Sequence, residues 1–480
     1  MEEIIRREYP MEGFMYQNFE ENKQYLNSKL QPDINFDLVS RDITIGNRKA
    51  VFFFIDGFCK DELMMKLLQF LMGLKEEDLP QQASGLNKVM PYVEVDVSPD
   101  FDTIIKNVLS GVFAVLIDGY EDCILIDSRT YPARSVSEPE KDKALRGSKD
   151  GFVETIIFNT ALIRRRIRST DLRIETLCAG KESKTDIVLC YMDERVDHEF
   201  LNKIKNRIKD IKVDALTLNQ ESLAECLFTS KWYNPFPKFK YTERPDVASA
   251  QILEGNIIVL VDNSPSAMIL PISILDSVEE VDDYYFPPIT GTYLRISRFL
   301  IFIMTYLLTP TFLLFMQNQH WIPEAFRFVI VKEEVNVPLV WQFLILELAI
   351  DGLKLAAINT PSMLSTPLSV MAALVLGEFS VKSGWFNSEV MLYMAFVAIA
   401  NYTHQSYELG YAIKFFRILN LVLTAIFDIW GYVIALIIFA FAIIKNKMVS
   451  GQSYIYPLLP FSFKKLGKVL IRTRLPGSRE

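Results

Sequence analysis

Cysteine and histidine are scarce, at five and three among 480 residues. Cys59, Cys123, Cys178, Cys190 and Cys226 are odd in number and include no Cys-x-x-Cys pair, which argues against a disulfide framework and a spaced zinc site. Their apolar or helical neighbours suit small buried thiols in a reducing cytoplasm. His198, His320 and His404 fall in different regions and cannot be paired from sequence. There is no phosphate loop, no His-Glu-x-x-His and no Gly-x-Ser-x-Gly elbow. The sequence therefore offers no catalytic constellation, and no enzyme activity, cofactor or metal is expected. The opening Met1-Glu-Glu-Ile-Ile-Arg-Arg-Glu8 lacks the apolar core of a cleaved signal peptide.

Basic residues are also in the minority, 51 against 59 acidic ones. Over residues 1–298 the balance is 37 to 49, which argues against nucleic acid as a partner. Residues 445–480 reverse it, with eight basic side chains against Glu480 alone. A basic tail directly after an apolar segment is expected on the cytoplasmic side, near anionic membrane lipid.

Long apolar runs are what the chain does have. Five lie between residues 299 and 444, the first an uncharged stretch from Phe299 to Met316. That length suits a membrane helix better than a buried core helix. Segment two, Pro338–Ala357, carries Glu347, Asp351 and Lys354 at i, i+4 and i+7, one helical face. Segment three, Leu355–Gly377, holds Asn359, Thr360, Pro361, Ser362, Ser365, Thr366 and Pro367, a composition suited to a broken or re-entrant segment lining a polar space. Segment four is Val390–Thr403, with Glu389 expected in the loop before it, and segment five is Ile418–Ile444, interrupted by Asp428 and Gly431. A carboxylate at mid-bilayer costs about 2.5–3.5 kcal/mol on insertion scales, so Glu347, Asp351 and Asp428 should not face lipid. They line an ion path or subunit contact, or they are paired internally. If head and tail share one side, the crossings are even in number and one of the five segments does not cross.

The preceding residues read as an α/β head. Lys49–Ile55 is a buried-strand pattern followed by helical spacing over Asp61–Met72; Tyr92–Val97 reads as a strand and Phe101–Leu109 as a helix. A second set follows: helix 152–168, strand Asp186–Tyr191 and helix His198–Ile211. Gly111-Val-Phe-Ala-Val-Leu-Ile-Asp118-Gly119 is echoed by Gly255-Asn-Ile-Ile-Val-Leu-Val-Asp262-Asn263, two hairpins that are either duplicates or chance likenesses. The acidic pairs Glu279/Glu280 and Asp282/Asp283 have no spaced partner and read as solvated surface. The expected organisation is a polar peripheral arm (1–32), two α/β subdomains (33–145 and 146–240), a membrane-proximal hairpin and connector (241–298), a polytopic helical membrane domain (299–444) and a basic tail (445–480).

The densest polar constellation is Arg134-Ser-Val-Ser-Glu138-Pro-Glu140, then Arg146-Gly, Gly151-Phe-Val-Glu154, Asn159 and Arg164-Arg165-Arg166-Ile-Arg168. Arginines beside Glu-Pro-Glu can form bidentate Arg–carboxylate bonds within a chain or between neighbours, bind anionic lipid, or form a solvated face. In order and spacing these motifs, with Thr242-Glu-Arg-Pro-Asp246 and Glu254-Gly255, resemble the A-subunit family of spore germinant receptors, from about residue 40 onward. Asp42-Ile-Thr-Ile-Gly, Phe52–Phe58, Asn359–Leu368 and Ser406-Tyr-Glu-Leu-Gly410 resemble a sporulation-protein branch of that family. Nutrient-receptor A subunits usually carry Leu-Arg-Glu-Ala where this chain has Ala349-Ile-Asp351-Gly352. The resemblance implies an inner-membrane protein of the spore with a cytoplasmic two-part α/β head. It also implies a homo-oligomer that conducts ions during germination beside other spore membrane germination proteins. A non-conducting scaffold is the rival expectation.

Overall fold

The computed structural model describes residues 13–35, 37–56, 58–86, 88–130, 135–139, 142–144, 147–228, 233–280, 282–360, 370, 372–403 and 406–472. Two compact units divide at Arg134 and Ser135.

The first unit runs α1 (Phe19–Leu30), β1 (Leu38–Ile45), β2 (Arg48–Ile55), α2 (Asp61–Gly73), α3 (Ala83–Leu86), β3 (Val95–Ser98), α4 (Phe101–Leu109), β4 (Phe113–Ile117) and β5 (Cys123–Ile126). Its antiparallel sheet has the order β1-β2-β4-β5-β3. One face packs Phe52, Phe113 and Val115 against α2, and the other packs Val51, Phe53 and Leu116 against α1 and α4. Cover on both faces is why β2 and β4 read as unbroken apolar runs and not as alternating ones. Helix α1 lies in the stretch expected to form a polar arm, yet it buries Phe19, Leu26 and Leu30. Only one face of α1 needs to be apolar to dock on the sheet.

The second unit opens with the same order of elements: α5 (Ile156–Arg166), β6 (Leu172–Ala179), β7 (Thr185–Met192), α6 (His198–Lys209), α7 (Gln220–Leu227), β8 (Lys240–Thr242), α8 (Pro245–Leu253), β9 (Ile257–Val261) and β10 (Ala267–Leu270). Its sheet, β6-β7-β9-β10-β8, repeats the first strand for strand. The likeness extends to single side chains. Asn22, fourth residue of α1, brackets Tyr16 through N–H and carbonyl bonds of 2.7 and 2.8 Å. Asn159, fourth residue of α5, brackets Val153 in the same way at 2.8 and 2.6 Å. Gly111 and Gly255 both sit at positive φ, 93° and 98°. The echoed hairpins are equivalent members of a duplicated fold.

Helices follow: the turn α9 (Asp282–Tyr285), α10 (Pro288–Gln317), α11 (Leu339–Asn359), α12 (Ser388–Tyr402), α13 (Tyr407–Lys445) and α14 (Phe463–Leu470), with a π-helical stretch at Ala373–Phe379. By length and composition, α10 and α13 are apolar enough to cross a membrane, and α12 is a shorter apolar helix. Helix α13 starts eleven residues before Ile418 and so includes Lys414 and Arg417. Glu389, expected in a loop, sits in the first turn of α12.

Asp428 interrupts α13 with φ 52° and ψ −132°, and its carboxylate accepts a 2.6 Å hydrogen bond from Asn318 at the end of α10. The kink folds the backbone so that a Cβ on Gly431 would collide with the Leu423 carbonyl and approach the Thr424 nitrogen to 3.0 Å. Replacing Gly431 with Ala should therefore cost more than the roughly 1–3 kcal/mol of ordinary overpacking. The thermal midpoint of the purified protein will read it; an unchanged midpoint would mean that the kink can open.

Candidate functional site

Burial of charge dictates the geometry where α10, α11 and α13 meet. Arg417 is fully buried, and Glu347 and Lys414 are 3% and 6% exposed. Arg417 donates from Nε to Glu347 Oε1 at 2.7 Å, with Nη2 2.6 Å from the same oxygen. Its Nη1 donates to the Thr305 carbonyl of α10 at 2.9 Å. That carbonyl neighbours the one on Tyr306 that Pro310, lacking an N–H, leaves without its helical partner. Lys414 lies 3.4 Å from Glu347 Oε2, donates to the Glu347 carbonyl at 3.0 Å and pairs with Asp351. Two carboxylates and two cations thus form a neutral cluster, which is how buried charges avoid an uncompensated desolvation penalty.

The face expected from the i, i+4, i+7 spacing divides in two. Glu347 and Asp351 share Lys414, whereas Lys354 places its ammonium 5.2 and 5.8 Å from the rings of Tyr402 and Tyr411. Asn359 and Thr360 donate back to the carbonyls of Leu355 and Ala356 in the last turn of α11. Ser362 and Thr366 lie outside the described residues. From Arg417 the polar face continues to Asn420 and Thr424, buried three and seven residues further along α13, and Thr305 and Thr309 are buried on α10. Among the described residues, Thr309 Oγ1 and Asp351 Oδ1 are buried without a hydrogen-bond partner.

A second charged cluster ties α10 to the head. Asp283 is fully buried, 2.8 Å from Arg298 and 3.4 Å from Arg295; Arg295 also reaches Glu279 at 3.4 Å, and Arg298 reaches Glu280 at 2.9 Å. This corrects the expectation of a solvated acidic surface for Glu279 and Asp283, which the base of α10 covers, while Glu280 is paired but stays 30% exposed. Two arginines immediately before an apolar run were the overlooked signal. Arg244 of the Thr242-Glu-Arg-Pro-Asp246 motif is fully buried, bonds Asp246 at 2.7 Å and donates to the carbonyl of Ser148 at 3.1 Å. Tyr285, just before α10, donates to that same Asp246. At the other end, Lys238 donates to Asn446 Oδ1 and to the Lys447 carbonyl just past α13. Burial pulls the Lys238 ammonium down to about 8. A cleft of about 290 Å³, lined in part by Asp142, Glu221, Tyr241, Ser406 and Glu408, opens between the head and the start of α13.

The arginine helix is committed within its own unit. Arg166 pairs with Asp150 at 2.6 Å, Arg164 donates to the carbonyls of Ser169 and Leu172 at 3.0 and 3.1 Å, and Glu138 pairs with Lys149 at 2.5 Å. Arg165 is exposed on α5 with Ile157 and Phe158. Glu154 is half-buried, and its carbonyl accepts from Asn263 at 2.9 Å. Arg134, Glu140 and Arg146 lie outside the described residues. No group of three or more His, Cys, Asp or Glu side chains suited to a metal occurs among the described residues.

A second α/β half braced by buried ion pairs onto helices apolar enough to cross a membrane suits a membrane-associated protein with a large polar domain. The profile of the Bacillus/Clostridium GerA spore germination protein matches residues 24–480, and the chain belongs to that family. It is 34% identical to stage V sporulation protein AF of Bacillus subtilis over 97% of this chain and 94% of that one. To spore germination protein KA of the same organism it is 26% identical over 94% and 84% of the two chains. The N-terminal domain of the A subunit of the Bacillus megaterium spore germinant receptor GerK3 aligns at 25% identity over 53% of this chain and 95% of its own, with a TM-score of 0.21.

Removing one member of the buried pair strands the other. Glu347→Ala should cost about 3–5 kcal/mol, whereas replacing Glu347 and Arg417 together with Leu should recover most of it. Thermal midpoints in detergent will show whether the two changes are coupled. Burial also pushes the Glu279 carboxyl up to about 7, against the pull of Arg295 and Lys240. The folded chain then keeps a proton that the unfolded chain releases near 4.5, so this contribution is full at acid pH and is lost as pH rises through 7. Glu279→Gln should flatten the fall in thermal midpoint between those values by about 1–3 °C, since such a shift is worth up to roughly 3 kcal/mol and each kcal/mol moves the midpoint of so long a chain by about 1 °C.

Proposed function

We propose that this chain is an integral membrane subunit taking part in spore germination, an ion-conducting or ion-release-promoting component of a homo-oligomer in the spore inner membrane. Its head (33–298) and tail share the cytoplasmic side, with the helices of 299–444 crossing an even number of times. The observation that carries the reading is the Glu347–Asp351–Lys414–Arg417 cluster, continued by Asn420, Thr424, Thr305 and Thr309 inside an otherwise apolar set of helices. Helices that only anchor a head have no need of so much buried polarity. Family membership and the germination names of the relatives support the setting.

In this arrangement the cluster is neutral and closed. Conduction requires the cations to release Glu347 and Asp351, opening a hydrated acidic face. The braces at Arg295, Arg298 and Lys238 are the route by which the head biases that release. The exposed face of α5, Ile157, Phe158 and Arg165, is the part of the arginine helix left for contact between copies or with other germination proteins. The rival scaffold reading has one observation in its favour, the internal neutralisation of both carboxylates.

Ion flux from vesicles holding the wild type, the Glu347→Leu/Arg417→Leu pair and the exposed control Glu324→Ala separates the readings. A channel predicts at least a tenfold change in the pair variant, about 1.4 kcal/mol in the barrier, and none in the control. Equal flux at equal protein, or a monomer by native mass, favours the scaffold.

A further inference from the structure

The end of the described chain is held at two places. Past α13, Tyr454 is fully buried; it donates to the Pro237 carbonyl at 2.8 Å, and its own carbonyl accepts from Ile274 at 3.0 Å. Further on, the Val469 carbonyl accepts from Arg295 of α10 at 3.2 Å, and the Arg472 N–H donates to Thr292 Oγ1 at 3.1 Å. Gly291 permits this approach, because a Cβ there would meet Arg472 Cδ at 2.7 Å. The end of α14 therefore lies beside the start of α10, and residues 458–471 connect that point to the buried Tyr454 on the head side of the apolar helices.

This stretch is strongly apolar where water would otherwise cover it. Phe461 and Phe463 are 64% and 81% exposed, and Leu458, Leu459 and Ile471 are exposed beside them. On α10 the exposed Ile289, Tyr293, Ile296, Leu300 and Ile303 follow a spacing of three or four residues. One apolar strip thus runs from the middle of α10 down to the head. In sequence, α14 interleaves Lys464, Lys465 and Lys468 with Phe463, Leu466 and Leu470, and no acidic residue occurs from 446 to 479. Aromatic side chains beside lysines are the chemistry of a helix lying in a headgroup layer, where each cation adds about 1 kcal/mol near anionic lipid.

We propose that residues 458–471 form a strap lying on the anionic lipid surface of the head-side leaflet, with Phe461 and Phe463 inserted at headgroup depth. Through Arg295 and Thr292 the strap fixes the base of α10, so lipid charge acts on the helix that carries Thr305. The proposal rests on the reading that α10 and α13 cross the membrane.

Hydrogen exchange of the full-length protein in phosphatidylcholine nanodiscs, with and without phosphatidylglycerol, tests it. The amides of 463–472 should exchange about tenfold more slowly with phosphatidylglycerol, and high salt should remove much of the difference, since exposed charges are screened beyond roughly 10 Å. Phe461→Ser/Phe463→Ser should abolish the protection while 446–456 stays unchanged. Equal exchange in both lipids overturns the proposal. Protection that follows oligomer size and not lipid charge also overturns it and assigns the surface to a second copy. If alkaline carbonate strips the protein from membranes, the membrane reading itself has failed; an embedded protein with an unprotected strap fails this proposal alone.

Discussion

A charge inside an apolar helix must find its counter-charge, and the contact of Arg417 with Glu347 is where that constraint sets the architecture of the helices. The pair fixes the axial position of α11 against α13, because sliding either helix by one turn would strand Glu347 or Arg417 even if Asp351 or Lys414 took over the other. Arg417 has donors to spare and spends one on the Thr305 carbonyl, which draws α10 into the same layer. Helix α12 is held to α11 by a neutral counterpart of this contact, the reciprocal bonds of Gln342 and Asn387 at 2.8 and 2.9 Å. Apolar packing around Phe312, Phe343 and Met394 fills the space between, but such packing tolerates sliding. The polar contacts give it a single register.

The same constraint operates at the head. Arg244, Arg295 and Arg298 are each nearly enclosed, and each faces a carboxylate within 3.4 Å. Asp246 takes both Arg244 and Tyr285, so the second sheet and the approach to α10 meet at one carboxylate. Lys238 ties the far end of α13 to the stretch just before β8. Both apolar helices are thus held by the same α/β half. Its β8–α8 edge is in polar contact with the approach to α10 and with the end of α13.

Most of the head was legible in the sequence, since strands buried on both faces are long apolar runs and need no partner to be noticed. The edge strands β1 and β6 were not: they mix exposed charge with a few buried positions, as Arg41, Asp42, Arg173 and Glu175 show. The site was half legible. Spacing on α11 correctly put Glu347 and Asp351 on one face, yet their partners lie 63 to 70 residues away. Starting the fifth apolar segment at Ile418 treated Lys414 and Arg417 as a boundary, when they are interior residues of α13. Charge was also misjudged at Glu279–Asp283, because a sequence shows that a residue is acidic and does not show what closes over it.

The doubling of the head separates what folding demands from what one half alone carries. Asn22 and Asn159 make the same bracket in both halves, so that device belongs to the fold itself. At the entry to the equivalent helices α4 and α8 the halves part company. Asp100 caps α4 by accepting from Thr103 at 2.8 Å, whereas the second half has Arg244 at that place, turned inward to Asp246 and the Ser148 carbonyl. The device common to both halves serves the fold, and the one that differs serves the attachment to the helices. Only the second half has a buried arginine in place of the helix cap, tied through Asp246 to Tyr285 before α10, so two halves of one topology carry different duties.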